Sequence, residues 1–282
     1  MVTRIGNLSE VADRFDAIVF DQWGVLHDGS APYPAAVQTI AALAKSDLKL
    51  AVLSNSGKRA APNRDRIVGM GFDTTCLDTV MTSGEALWAD VAASRVTAQR
   101  LYPIERAPGD AAAWATGLGV ELVENAYDAD AILLMGVDDT GVPASAQHAL
   151  HIALQKNLPV FCTNPDRASP RANNVIVTSP GALAHAHLEA GGNVTFYGKP
   201  HAAVFEAVQT ALALPPERIL MVGDSLEHDS TGGHAAGWAT AFIECGLHKS
   251  SFDTQSDPVE VIAKLAKQDN APHPTFSLER LQ

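Results

Sequence analysis

Apolar residues come in short runs that end abruptly in polar ones. Ala17 to Phe20 run straight into Asp21, and Gly24 follows in the stretch AIVFDQWGVLHDG. A nearly continuous apolar run closed by a carboxylate and a tight turn predicts a buried parallel strand with its chemistry at the C-terminal edge. Leu48 to Leu53 repeat the pattern and deliver Ser54, Asn55, Ser56, Gly57 and Lys58 to that edge. Ile219 to Val222 lead into Gly223, Asp224 and Asp229, and Ala239 to Ile243 form another buried strand. A short strand is expected near Val80 to Thr82.

Between these runs the spacing turns helical. Asn7 to Phe15 predicts a short helix opened by Ser9. Pro34 suits a first helical turn, with Val37, Ile40, Ala41 and Ala44 on one face. Helices are also expected over Asn63 to Met70, Glu85 to Ala93, after His201 with Val204, Val208, Ala211 and Leu212 on one face, and over Val259 to Lys267. Strand and helix alternate as in βαβ units.

A second series lies between them. Leu101 to Ile104, Val120 to Val123, Ala131 to Met135, Val160 to Cys162 and Val175 to Val177 are strand-like, while Asp110 to Thr116 and Ala144 to Lys156 are helix-like. The fold expected is α/β: a Rossmann-like, doubly wound parallel-sheet core with an inserted α/β cap domain. The core would comprise residues 1–84 and 183–282, and the cap 85–182.

Composition narrows the function. With 46% hydrophobic and 18% charged residues in 282, the chain has ample material for a core and is too apolar for disorder. A net charge of -12 argues against nucleic acid as a partner. Cys76, Cys162 and Cys245 lack the spacing of a zinc or redox site and read as reduced, mostly buried thiols. Charges interrupt the N-terminal stretch where a signal peptide needs its apolar centre, and no apolar run approaches the ~18 to 20 residues of a membrane span. The expected setting is the cytoplasm, with no membrane partner.

In chain order the candidate residues are an Asp after the first strand, a Ser after the second, Lys199 in the stretch GKPH, and GDxxxxD at Gly223 to Asp229. That order resembles the four motifs of the haloacid-dehalogenase-like (HAD) hydrolases. Within them the chain is similar to the class IIA, NagD-like branch. GVL follows the first motif, SN stands where that branch has TN, and TNPD occurs at Thr163 to Asp166 inside the insert. The resemblance spans nearly the whole chain.

It implies a Mg2+-dependent phosphatase acting on a small phosphorylated metabolite, a sugar phosphate, nucleotide or aryl phosphate. Asp21 would be the nucleophile that forms an aspartyl-phosphate. Ser54 and the backbone of Asn55 would hold phosphate oxygens, and Lys199 would neutralise nucleophile and phosphate. Asp21 and Asp224 would offer carboxylates to Mg2+, Trp23 its backbone carbonyl, and Asp229 would orient the shell from behind. The insert would cover the active site and select the substrate, with Asn164, Asp166, Arg167 and Arg171 reaching toward it. The histidine pairs His148/His151 and His185/His187 have metal-like spacing but no nearby carboxylates, and read as packing or surface residues. The sequence leaves the oligomer open, a homodimer included.

One departure stands out. Superfamily phosphatases generally carry a second Asp two positions after the nucleophile as general acid and base; here that position is Trp23. General acid-base catalysis contributes about 10² to 10⁴ in rate. Its loss favours leaving groups that depart without a proton, such as aryl or acyl phosphates, unless His27, Asp28 or His228 substitutes. The alternative is a catalytically impaired relative that binds a phosphorylated ligand as a sensor or partner protein. A metal-free dehalogenase is disfavoured by the GDxxxxD pair, and a dinucleotide-binding protein by the lack of GxGxxG after the first strand.

Overall fold

A computed structural model describes residues 2–170, 176–252 and 257–282. In chain order it begins with β1 (Thr3–Arg4), β2 (Ala17–Asp21), α1 (Ala36–Leu43), β3 (Lys49–Ser54), α2 (Ala60–Gly69), β4 (Thr79–Thr82) and α3 (Ser83–Ala92). There follow β5 (Arg100–Ile104), α4 (Asp110–Ala115), β6 (Glu121–Leu122), β7 (Ala131–Leu134), α5 (Ala144–Lys156), β8 (Val160–Cys162), β9 (Ala168–Pro170) and β10 (Ile176–Thr178). The chain ends with α6 (Pro180–Glu189), β11 (Val194–Phe196), α7 (Ala202–Leu212), β12 (Ile219–Gly223), α8 (Thr231–Ala235), β13 (Ala239–Ile243), α9 (Lys249–Phe252), α10 (Pro258–Gln268) and β14 (Phe276–Leu278).

Two compact units result: Met1–Ser54 with Ala61–Met81 and Lys199–Gln282, and Asn55–Ala60 with Thr82–Gly198. The first carries a seven-stranded sheet ordered β1-β14-β13-β12-β2-β3-β4. β2 pairs in parallel with the central strand β12 on one side and with β3 on the other. Every residue of β2 and β12 is buried, as a sheet covered on both faces requires. The second unit has a five-stranded parallel sheet ordered β11-β8-β7-β5-β6 and the antiparallel pair β9–β10. The fold class is as expected, an α/β Rossmann-like parallel sheet with an inserted α/β unit.

Several boundaries differ from expectation. The second unit runs on to Gly198, past the expected limit at residue 182, because β11 adds to its sheet with Val194 opposite Val160. β11 has only three residues, one of them Thr195, too short and mixed to register as an apolar run. Asn7 to Phe15 forms two 3-10 turns rather than one helix, and Asn7, not Ser9, is the cap: it accepts from Ser9 N–H while Glu10 bonds back to it. Pro34 lies before α1, whose buried residues are Ala36, Ile40 and Leu43, so Ala41 faces outward. On α7 Phe205 replaces Ala211 in the buried set. Of the cysteines only Cys162 is fully buried. No described helix is long and apolar enough to cross a membrane.

The core of the first unit depends on the central strands. Truncation of the fully buried Phe20 should lower the unfolding free energy by about 3–5 kcal/mol, whereas Val68→Ala on the half-exposed face of α2 should stay within about 0.5 kcal/mol. Urea denaturation of both variants measures the contrast, and equal midpoints would contradict the burial.

Candidate active site

Parallel pairing explains how distant residues meet. Phe20 stands opposite Val222, and Asp21 opposite Leu53, so the chain continuing past each strand emerges at the same edge. Asp21, Ser54 and Asp224 are thereby neighbours by register. Lys199 and Asp229 join them from the segments that precede α7 and α8.

Lys199 is 3% exposed, and its Nζ donates to Asp21 Oδ1 at 2.5 Å and to Asp229 Oδ1 at 2.6 Å. Asp229 is fixed from behind by a second contact, the Ser225 N–H donating to its Oδ2 at 3.0 Å. Asp224 Oδ2 accepts the Leu247 N–H at 2.7 Å. Glycine makes this crowding feasible. A Cβ on Gly24, whose φ is +87°, would fall 1.9 Å from Asp224 Oδ2, and one on Gly246 2.4 Å from the same oxygen. A Cβ on Gly223 would fall 2.1 Å from the carboxyl carbon of Asp229.

Burial and neighbours shift the protonation of these groups. Burial pushes Asp21 up, the charge of Lys199 pulls it back, and Asp229 pushes it up again, leaving it at about 7. Asp224 is also raised well above the ordinary carboxylate range, by burial first and then by Asp21 and Asp229. Burial works against the charge of Lys199, yet the two carboxylates outweigh it and hold the ammonium protonated.

Three carboxylates against one ammonium leave the cluster short of positive charge. Asp21, Asp224 and Asp229 each offer an oxygen, all within 4.8 Å of one another. A buried, oxygen-only donor set of this size suits a hard divalent cation. Asp21 and Asp224 are the better placed to hold it, since both oxygens of Asp229 are already engaged.

Of the other expected residues, Ser54 ends β3 beside Asp21. Trp23 is 40% exposed, with its indole Nε1 against Gly29, where a Cβ would fall 2.9 Å away. In the second unit Asn55 donates through Nδ2 to Asp166 Oδ1 at 2.8 Å. Asn164 accepts from the Asp166 N–H, and Arg167 is exposed, 3.7 Å from Glu189. Arg171 lies outside the described residues. Three of the paired histidines have ordinary partners, with His148 edge-on to Tyr127, His151 meeting Gln155 and His185 against Phe196, and the fourth, His187, is buried in α6.

Known proteins share this frame. A family model described as haloacid dehalogenase-like hydrolase matches residues 18–118, and one described as HAD-hydrolase-like matches residues 196–268. The chain belongs to the HAD-like hydrolase superfamily. Chronophin from Homo sapiens is 28% identical over 258 residues, covering 86% of this chain and 85% of its own. The sugar-phosphatase AraL from Bacillus subtilis is 25% identical over 275 residues, covering 89% and 93%. A hydrolase of the haloacid dehalogenase-like family from Brucella suis superposes with a TM-score of 0.81 at 25% identity, covering 99% of this chain and 100% of that one.

In this HAD-like hydrolase two contributors escaped sequence reasoning. Gly246 and Leu247 follow β13 at the same edge and hold Asp224 between them and Gly24. The available signal was a glycine three residues beyond an apolar run, in FIECGL, akin to Gly223 at the end of its own run. His27, one of the three residues named as substitutes for the missing acid, is a hydrogen-bonded turn residue. It is 1% exposed, its Nδ1 accepts the Gly29 N–H at 3.0 Å, and burial, aided by Arg66, pushes it down to about 4.

The raised Asp21 yields a pH test in metal-free protein. A carboxyl raised on folding stabilises fully below its ordinary value of 3.8, and that contribution is lost as pH climbs through about 7. Asp21→Asn cannot ionise, so its melting temperature minus that of the wild type should grow by roughly 5 °C between pH 5 and 8 in EDTA. A constant or shrinking difference would show that Asp21 ionises freely in the fold.

Proposed function

We propose that this hydrolase is a Mg2+-dependent phosphatase of small phosphorylated metabolites, with Asp21 as nucleophile. The observation that carries the reading is the buried Lys199 bridging Asp21 and Asp229 beside the carboxylate of Asp224. A lysine so placed is an immobile cation facing a carboxylate, the arrangement that phosphoryl transfer to an Asp requires. That AraL is a sugar phosphatase adds support for a small phosphorylated substrate.

In the mechanism this implies, an Asp21 oxygen attacks phosphorus while the ester oxygen leaves on the opposite side. Lys199 holds Asp21 in position and offsets negative charge on the transferring group. The Ser54 hydroxyl, one step past Leu53 on the adjacent strand, donates to a phosphoryl oxygen. Asp229 orients Lys199 and keeps it charged. Asp21, Asp224 and the backbone carbonyl of Trp23 are the groups proposed to hold Mg2+, which when bound neutralises charge between carboxylate and phosphate. Water then attacks phosphorus, breaks its bond to Asp21 and releases inorganic phosphate, the proton passing to solvent.

Trp23 supports a second reading, a phosphate-binding sensor with little turnover, because it has no proton to give. Hydrolysis of 4-nitrophenyl phosphate with Mg2+ separates the two. The phosphatase reading expects turnover that EDTA abolishes and that Asp21→Asn lowers by at least about 10³-fold. Turnover surviving in Asp21→Asn would remove Asp21 from the role. A wild type that binds inorganic phosphate without turning over any ester would establish the sensor.

A further inference from the structure

The first-motif loop bears directly on which esters this site can cleave. Gln22 to His27 fold into a closed turn, with the Leu26 and His27 N–H groups on the Gln22 carbonyl and the Gly24 N–H on the His27 carbonyl. Of the titratable side chains in and beside it, His27, Asp28 and Lys199, none offers an exposed proton. His27 is 1% exposed, with Nδ1 accepting the Gly29 N–H and Nε2 enclosed without a partner among the described residues. Asp28 Oδ1 accepts the N–H groups of Ser30 and Ala31, both at 2.8 Å, which keeps it ionised. Lys199 is locked between two carboxylates.

What the loop does present is apolar. Trp23 is two residues past Asp21 and 40% exposed, its indole edge seated against Gly29. Leu247 is 55% exposed, and its own N–H bonds Asp224. Two of the largest exposed apolar side chains of the unit thus spring from backbone that adjoins the carboxylate cluster, one on the Asp21 side and one on the Asp224 side. Exposed apolar side chains whose backbone flanks a buried charged cluster are the groups from which a binding surface is built.

We propose that Trp23 and Leu247 form the surface that receives the leaving group, and that the enzyme selects phosphate esters whose leaving oxygen departs unprotonated, aryl and acyl phosphates over alkyl ones. This rests on the phosphatase reading above. In the step, the bond from Asp21 to phosphorus forms as the bond to the leaving oxygen breaks. The electron pair stays on that oxygen, which leaves as phenolate or carboxylate and takes its proton afterwards from water. The indole gives an aromatic leaving group a face to stack on, and the charge it develops is spread over its own ring or carbonyl rather than quenched by an acid.

Two arms test the proposal. In the first, kcat/KM with Mg2+ is measured for benzoyl, 4-nitrophenyl, phenyl and butyl phosphate. The wild type should fall by about 10²- to 10⁴-fold from 4-nitrophenyl to butyl, and Trp23→Asp should recover most of the loss on butyl phosphate. Butyl phosphate cleaved as fast as 4-nitrophenyl phosphate overturns the selectivity; loss of that rate in His228→Asn would then name the donor. In the second arm, calorimetry with Mg2+ compares phenylphosphonate with methylphosphonate. The phenyl compound should bind about 3- to 10-fold more tightly to the wild type, and the preference should disappear in Trp23→Ala and shrink in Leu247→Ser. A preference unchanged in both variants overturns the surface. A preference present with no ester hydrolysed overturns the phosphatase reading while upholding the surface.

Discussion

Withdrawn from water, the ammonium of Lys199 is held by Asp21 and Asp229, at 2.5 and 2.6 Å. Such a group cannot be left half satisfied: removing one partner of a buried pair costs roughly 3–5 kcal/mol. The lysine therefore ties three parts of the first unit together, the end of β2, the segment before α7 and the turn leading into α8. It also decides chemistry, because a cation that cannot leave keeps a carboxylate oriented and its charge partly offset. Asp224, which makes no hydrogen bond to that cation, is raised well above its ordinary range by burial and by its two acidic neighbours, and burial raises Asp21 to about 7 in spite of the cation. Structure and reactivity both follow from where the one positive charge sits.

How much of this was legible in the sequence depended on the kind of signal each residue leaves. Asp21, Ser54 and Asp224 end apolar runs, and a parallel sheet turns that one-dimensional pattern into adjacency, because register aligns the strand ends. Lys199 and Asp229 follow no periodicity and were found through the order of motifs alone. The limit of the inserted unit was not legible, since β11 is three residues long and joins its sheet by hydrogen bonds that leave little hydrophobic trace. The burial of His27 was not legible for a related reason. An imidazole beside a turn is usually solvated, and only the closed Gln22 to His27 turn reveals that this one is buried.

Residues of the TNPD stretch illustrate a different limit. The resemblance pointed to Asn164 and Asp166, and in the fold their polar groups bond to the protein itself: Asn164 accepts from the backbone of Asp166, and Asp166 accepts from Asn55. A motif records which residues are needed without saying whether they touch a ligand or hold the chain that does. Asn55 follows Ser54 directly, so the hydrogen bond to Asp166 restrains backbone immediately after a proposed phosphate-binding hydroxyl. Positional support of this kind is as demanding of residue identity as contact is.

The glycines show why the chemical and the structural readings converge. Gly24, Gly223 and Gly246 each stand where a Cβ would strike a carboxyl group of the cluster, at 1.9 to 2.4 Å. Crowding buried carboxylates raises their energy, and a fold tolerates it only where function or a bound cation compensates. The glycines are thus the backbone's accommodation to an electrostatic arrangement that packing alone would never favour. That arrangement writes itself into the sequence as a glycine at or shortly past the end of an apolar strand, and the same mark at the ends of β2, β12 and β13 reports a single cause, acidic groups brought closer together than side chains with a Cβ beneath them would allow.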